Sequence, residues 1–205
     1  MIGIYNYTVW FTYFSLVSAV FGIGFAASDK PFLAIICLLF SGFLDMFDGR
    51  IARTKKRNLF EIRYGVQIDS LADLVAFGVL PAFIGYSVGL KNWYWLILLS
   101  LYSLSALIRL SYFNCLTEEN NFSCKEFIGM PVTTSALIFP FIYIFKNYLE
   151  SNFKYLYASL LFLTLFLFLL KFKIKKPNNK VIILIFILGL ILLISIVILK
   201  LNKLI

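Results

Sequence analysis

The chain contains no histidine. That removes histidine-based acid–base and nucleophilic chemistry and most zinc sites. The three cysteines, Cys37, Cys115 and Cys124, form no C-x-x-C pair and read as unpaired thiols. Charge is scarce: 14% of residues carry it, against about 25% in a soluble domain. No soluble domain, low-complexity segment or internal repeat stands out. The N-terminus lacks a basic n-region and a small-residue cleavage site, so a cleaved signal peptide is not expected.

Apolar residues make up 61% of the 205 positions. Several apolar runs approach or exceed the roughly 20 residues that span a hydrocarbon core. They place spans at about 9–26, 32–53, 62–90 with a break near Pro81, 93–114, 131–145 with a kink at Pro140, 155–170 and 181–199. The expected fold is all-α: a polytopic membrane helical bundle with a six-helix core and an extra C-terminal transmembrane helix. The domain division is 1–172 for the transmembrane domain and 173–205 for a basic loop and the last helix. Ser28 or Asp29 is placed to cap the second helix, and 115–128 reads as a polar loop.

The formal charge is +9. In a soluble protein that suggests nucleic acid, but here the basic residues sit mostly in short connections, which makes them orientation signals and anionic-lipid contacts. With seven spans, the basic stretches 54–63 and 171–180 fall on one side together with the N-terminus. The positive-inside bias puts that side in the cytoplasm.

The chain is organised around Asp45 to Asp73. Asp45 and Asp48 lie three apart and share a helix face, which Gly49 and Ala52 continue. On the next helix Gly65, Asp69 and Asp73 recur every four residues and form a second stripe. A short basic connection makes the two helices antiparallel neighbours, so both stripes reach a similar depth. Carboxylates converging in low dielectric repel strongly, and hard divalent cations with oxygen ligands compensate that repulsion. Glycines at 49 and 65 leave room for a bulky phosphorylated ligand, despite a helix cost of roughly 1 kcal/mol each. Arg50 and Arg53 stand one turn nearer the aqueous end, where a guanidinium meets phosphate oxygens. A single aspartate of this set reads equally well as a structural partner of Arg53 or Arg109. Four in register with two glycines read as a functional site.

The pattern D-x-x-D-G-x-x-A-R…G-x-x-x-D-x-x-x-D resembles the signature of the CDP-alcohol phosphotransferases, with all eight fixed positions present. The gap from Arg53 to Gly65 holds eleven residues, longer than is common in that family. The surrounding residues Phe47 to Arg53, Gln67 to Asp73, Phe77-Gly78, Pro81-Ala82, Arg109-Leu-Ser-Tyr-Phe-Asn114 and Gly129-Met-Pro-Val-Thr-Thr134 resemble the membrane-integral phosphatidylserine synthases of bacteria and archaea. The resemblance covers about residues 5–170. It implies transfer of a phosphatidyl group from CDP-diacylglycerol to the hydroxyl of L-serine, with release of CMP. It also implies a homodimer in the cell membrane, with its site facing the cytoplasm, and no nucleic-acid partner.

Carried over by position, Asp45, Asp48, Asp69 and Asp73 would hold Mg²⁺ or Mn²⁺, two ions in all. Asp73 would also act as general base. Gly49, Ala52, Arg53 and Gly65 would line the CDP pocket. Apart from the resemblance, Arg109 lies near the cytoplasmic end of its helix, so it or Arg50 is expected to pair with the serine carboxylate. The nearest rival keeps the chemistry and changes the acceptor to glycerol 3-phosphate, inositol phosphate or another alcohol. A cation channel or transporter is opposed by the flanking arginines, and a non-catalytic scaffold by the retention of all four aspartates.

Overall fold

The computed structural model describes residues 2–52, 54–119, 126–175 and 179–202. Among them, six helices are long and apolar enough to cross a membrane, and a shorter apolar helical stretch covers Val132–Tyr143. In order, α1 is Trp10–Ala27, α2 Pro31–Ala52 and α3 Leu59–Asp73. A π-helical turn, Leu74–Val79, joins α3 to α4, Leu80–Ser87. Then come α5 (Trp93–Glu119), α6 (Ser135–Tyr143), the single turn α7 (Lys146–Leu149), α8 (Phe153–Leu169) and α9 (Asn179–Leu201). The chain is a multi-pass, all-helical membrane protein, as its composition dictates.

Small residues draw the first two helices together. Thr12, Ser15, Ala19, Gly22 and Ala26 are the buried positions of α1 and form one stripe. Two hydroxyl–carbonyl bonds cross at its middle: Ser41 Oγ donates to the Ser15 carbonyl at 3.1 Å, and Ser15 Oγ donates to the Ser41 carbonyl at 3.4 Å. Where lipid removes the hydrophobic drive between helices, close packing of this kind holds them. The same device joins α2 to α6, where a Cβ built at Gly42 would lie 2.6 Å from the Ala136 Cβ. Replacing Gly42 by Val forces those helices apart, at about 1–3 kcal/mol for overpacking. We expect a Tm in detergent lower by about 2–10 °C. An unchanged Tm would show that α2 and α6 do not meet there.

The larger core lies between α5, α6 and α8. Tyr102, Phe139, Tyr157 and Phe153 are fully or almost fully buried. The Phe139 and Tyr157 rings lie 5.0 Å apart at a tilt of 35°, and Tyr102 stands edge-on to Phe139 at 5.8 Å. Other aromatics face outward, as at Trp10, Phe14, Trp93 and Phe162.

The helix α9 runs antiparallel to α2 along its length. Phe186 packs edge-on to Phe43 and Phe47 at 5.3 and 5.6 Å, while Lys200 Nζ lies 5.5 Å over the Phe32 ring. Its far end is therefore at the opposite end of the bundle from the basic connections. The N-terminal segment lies at the same end as the first of those connections. Tyr7 Oη and Thr54 Oγ1 are 3.1 Å apart, and Asn6 Nδ2 donates to Glu61 at 3.4 Å.

Several local features differ from the sequence expectation. Asn58 and Glu61 form a reciprocal capping box that starts α3 at Leu59, ahead of the apolar run at Ile62. Asp29 does not cap α2. Its φ is +54°, and its carboxylate accepts from Lys91 Nζ at 2.8 Å. That bond holds the Lys91 ammonium above its ordinary pKa. Ser28 Oγ turns back to the Gly24 carbonyl at 2.9 Å. The helix α5 runs on to Glu119, so the polar loop starts later than composition suggests. Loop ends from both polar connections pair: Glu126–Ile128 (β1) lies antiparallel to Lys173–Lys175 (β2), with Phe127 opposite Ile174. Gly129 makes the turn beside them at φ +75°, where a Cβ would lie 3.0 Å from the Leu170 carbonyl.

Finally, the span with Pro81 does not break. Proline lacks an N–H and crowds the carbonyl four residues back, and the helix absorbs both effects as the π turn immediately before it.

Candidate active site

The paired spacing in the sequence becomes paired contact in space. Asp45 lies within hydrogen-bonding reach of Asp73, and Asp48 of Asp69. One number rises as the other falls, so α2 and α3 run antiparallel with their acidic stripes face to face. Oxygens of Asp45, Asp48 and Asp69 all lie within 4.8 Å of one another. Asp48 and Asp73 are buried. Among the described residues no basic side chain makes an ion pair with any of the four.

The fit to a metal rests on that donor set. It is carboxylate oxygen alone, the chemistry that Mg²⁺ and Mn²⁺ favour. An octahedral ion with bonds of about 2.1 Å holds opposite oxygens about 4.2 Å apart, within the span of the triad. The carboxylates repel each other in a low dielectric, and among the described residues no basic side chain is ion-paired with them. These residues therefore suit a divalent ion.

Beside the triad opens a cavity of about 420 Å³. Asp45, Gly49, Asp69 and Asp73 form one wall. Arg109 and Asn114 of α5 and the segment Pro131–Thr133 form the other. Arg109 is 6% exposed. Its Nε donates to the Met130 carbonyl at 2.5 Å, while its buried Nη2 has no hydrogen-bond partner among the described residues. Ser70 Oγ donates to Asn114 Oδ1 at 2.9 Å and ties α3 to α5 across the cavity. A second, smaller groove of about 270 Å³ between α4 and α5 is lined by Val79, Phe83, Tyr86 and Ser103, and no acidic or basic side chain lines it.

The other expected residues divide. A Cβ built at Gly49 meets no atom of the described residues beyond its own helix backbone within 4 Å, which fits a place kept open for a ligand. A Cβ at Gly65 would lie 3.2 Å from Arg57 Nη1, so the arginine over that glycine is Arg57. Gly65 is not among the residues lining the cavity. Arg53 lies outside the described residues, as do the side chains of Arg50 and Ala52. Cys124 is outside them too, while Cys37 and Cys115 are free thiols.

Sequence reasoning passes over two contributors. Thr12 Oγ1 of α1 donates to Asp48 Oδ2 at 3.3 Å. The signal for it is a hydroxyl on the small-residue stripe of an otherwise apolar span. Arg57 carries no signal beyond its basic surroundings, because its position depends on how the loop folds back.

Comparison with known proteins agrees with this geometry. The chain is 34% identical over 131 residues to a CDP-diacylglycerol–serine O-phosphatidyltransferase of Mycobacterium bovis, covering 62% of this chain and 44% of that protein. It is 34% identical over 140 residues to the protein of that name in Saccharomyces cerevisiae, covering 64% and 49%. The chain thus spans about half the length of these two relatives. A Helicobacter pylori protein of the same name is 30% identical over 178 residues, covering 83% of this chain and 71% of its own. The CDP-alcohol phosphatidyltransferase model matches residues 5–202, a range that takes in both acidic stripes and both walls of the cavity, and the chain belongs to that family.

Proposed function

We propose that the chain transfers a phosphatidyl group from CDP-diacylglycerol to the hydroxyl of L-serine, giving phosphatidylserine and CMP. The observation that carries this reading is the cavity itself. It sets a metal-suited carboxylate cluster on one wall against a buried guanidinium on the other, one of whose nitrogens has no hydrogen-bond partner among the described residues. The names of the relatives support the same donor and acceptor.

In this reading the four aspartates hold two ions, Mg²⁺ or Mn²⁺, which when bound neutralise the diphosphate and stabilise charge on its oxygens. Gly49 leaves space for the CDP end. The serine hydroxyl oxygen attacks the phosphorus that bears the diacylglycerol. Its proton passes to Asp73, the bond from that phosphorus to the bridging oxygen breaks, and the electron pair leaves on CMP. Arg109 receives the serine carboxylate. Among the described residues Arg109 is the one basic side chain lining the cavity. That suits a singly charged carboxylate better than a doubly charged phosphate acceptor such as glycerol 3-phosphate. Arg57, above Gly65, is placed for the diphosphate or the nucleotide.

The site faces the cytoplasm in this reading. The positive-inside bias supports that side, since both basic stretches lie toward the site's end of the bundle. The reading also includes a homodimer, for which the family resemblance is the support.

The test is a lipid product assay in membranes with CDP-diacylglycerol, Mg²⁺ or Mn²⁺, and either labelled serine or labelled glycerol 3-phosphate. Serine is expected to give labelled lipid and CMP in equal amounts. Asp73→Asn should slow turnover by about 100- to 10,000-fold, the usual range for a lost general base. Product from glycerol 3-phosphate alone would overturn the acceptor, and normal turnover in Asp73→Asn would overturn the base.

A further inference from the structure

The π turn that follows Asp73 is held from outside. Residue 81 is proline, so the Phe77 carbonyl loses its α-helical donor four residues on. In a membrane interior such a group needs a partner from a neighbouring helix. Tyr102 of α5 supplies it, its hydroxyl donating to the Phe77 carbonyl at 2.8 Å. Ser103 Oγ donates to the next carbonyl, Gly78, at 3.0 Å. The Tyr102 hydroxyl is also 2.9 Å from Ser135 Oγ, whose single proton can go either to the tyrosine oxygen or to the Val132 carbonyl at 2.7 Å. Val132 lines the cavity. One buried hydroxyl therefore links the turn directly after Asp73 to the opposite wall of the site.

We propose that Tyr102 is a positioning residue. By capping the Phe77 carbonyl it fixes the π turn, and the turn fixes the rotation at which Asp73 joins Asp45 in the carboxylate cluster. A π turn closes i→i+5 hydrogen bonds and so rotates less per residue than an α turn. Relaxing it toward α geometry would swing α3 relative to α4 about the residue that begins the turn. The ring of Tyr102 serves packing against Phe139 and Phe168, at 5.8 and 5.7 Å. The hydroxyl is the part that bears on the site. This inference rests on the functional reading above.

The experiment measures Mn²⁺ binding to the purified full chain in detergent, from the loss of the free-ion electron paramagnetic resonance signal, beside serine-dependent CMP release. Tyr102→Phe keeps the ring and removes only the hydroxyl. We expect Mn²⁺ binding about tenfold weaker and kcat lower by a similar factor, with the serine KM within twofold of wild type. Pro81→Ala gives the Phe77 carbonyl an α-helical donor four residues on and so favours the relaxed turn; added to Tyr102→Phe it should leave both losses in place. Should Tyr102→Phe not fold, Ser103→Ala removes the second cap on the same turn and should weaken Mn²⁺ binding about threefold. Wild-type Mn²⁺ binding in the folded Tyr102→Phe protein, or in its Ser103→Ala stand-in, overturns the proposal. So does a Tyr102→Phe defect that Pro81→Ala repairs. A wild-type chain that neither binds Mn²⁺ nor releases CMP overturns the functional reading and takes this proposal with it, which the wild-type sample alone reveals.

Discussion

Asp69→Asn is expected to reduce serine-dependent CMP release by about 1000-fold, a loss of about 4 kcal/mol of transition-state stabilisation. Asp69 shares the triad with Asp45 and Asp48 and stands on the cavity wall, where the proposed function uses its charge. The amide keeps the size and one oxygen but loses the charge that holds a divalent ion. The same change should stabilise the metal-free protein. It removes one negative charge from a cluster that lacks a paired basic residue among those described, in a medium where like charges interact strongly. A higher Tm in the presence of a chelator, with activity lost, is the stability–activity trade-off of a functional site. Both outcomes come from one sample, by thermal unfolding and CMP release. A Tm that falls together with a turnover that survives would mean that the four carboxylates are structural, and the reaction would have to be placed elsewhere.

How much of this was legible beforehand depends on the range over which each feature is decided. The carboxylate register is local. Spacings of three on α2 and four on α3, with a short connection, leave little freedom, and Asp45 meets Asp73 as the spacing requires. The capping box Asn58-Leu-Phe-Glu61 is also written in four adjacent residues, though the apolar run by itself starts the helix later. The π turn is different. Pro81 announces a disturbance, but whether the helix breaks, kinks or widens depends on donors from Tyr102 and Ser103, which lie more than twenty residues away in sequence. The strand pair between 126–128 and 173–175 and the approach of Arg57 to Gly65 are decided the same way, by which ends the bundle gathers. Arg109 falls between these cases. Its place on a buried stretch of α5 follows from the sequence. Its bond to Met130 and its unpartnered nitrogen follow from the turn at Gly129, which only the assembled wall supplies.

That unpartnered nitrogen sets the second large effect. Arg109→Ala is expected to raise the serine KM by about 10- to 150-fold, the range for a hydrogen bond to a charged group worth about 1.5–3 kcal/mol. The affinity for CDP-diacylglycerol should change little, because the proposed function puts the diphosphate at the opposite wall. Arg109→Lys separates charge from geometry. An ammonium can still attract the serine carboxylate, but it cannot donate to Met130 and reach into the cavity with a rigid fork at the same time. It should therefore recover part of the serine KM and leave the Pro131–Thr133 wall less well held. If Arg109 served packing alone, Arg109→Lys and Arg109→Ala would lower kcat and stability together and leave the serine KM where it was. A screen of acceptors sharpens the test. Ethanolamine keeps the amine and hydroxyl of serine and lacks its carboxylate, so discrimination between the two should be large in the wild type and small in Arg109→Ala. Equal discrimination in both proteins would move carboxylate recognition away from Arg109, leaving Arg50 as the other guanidinium to test.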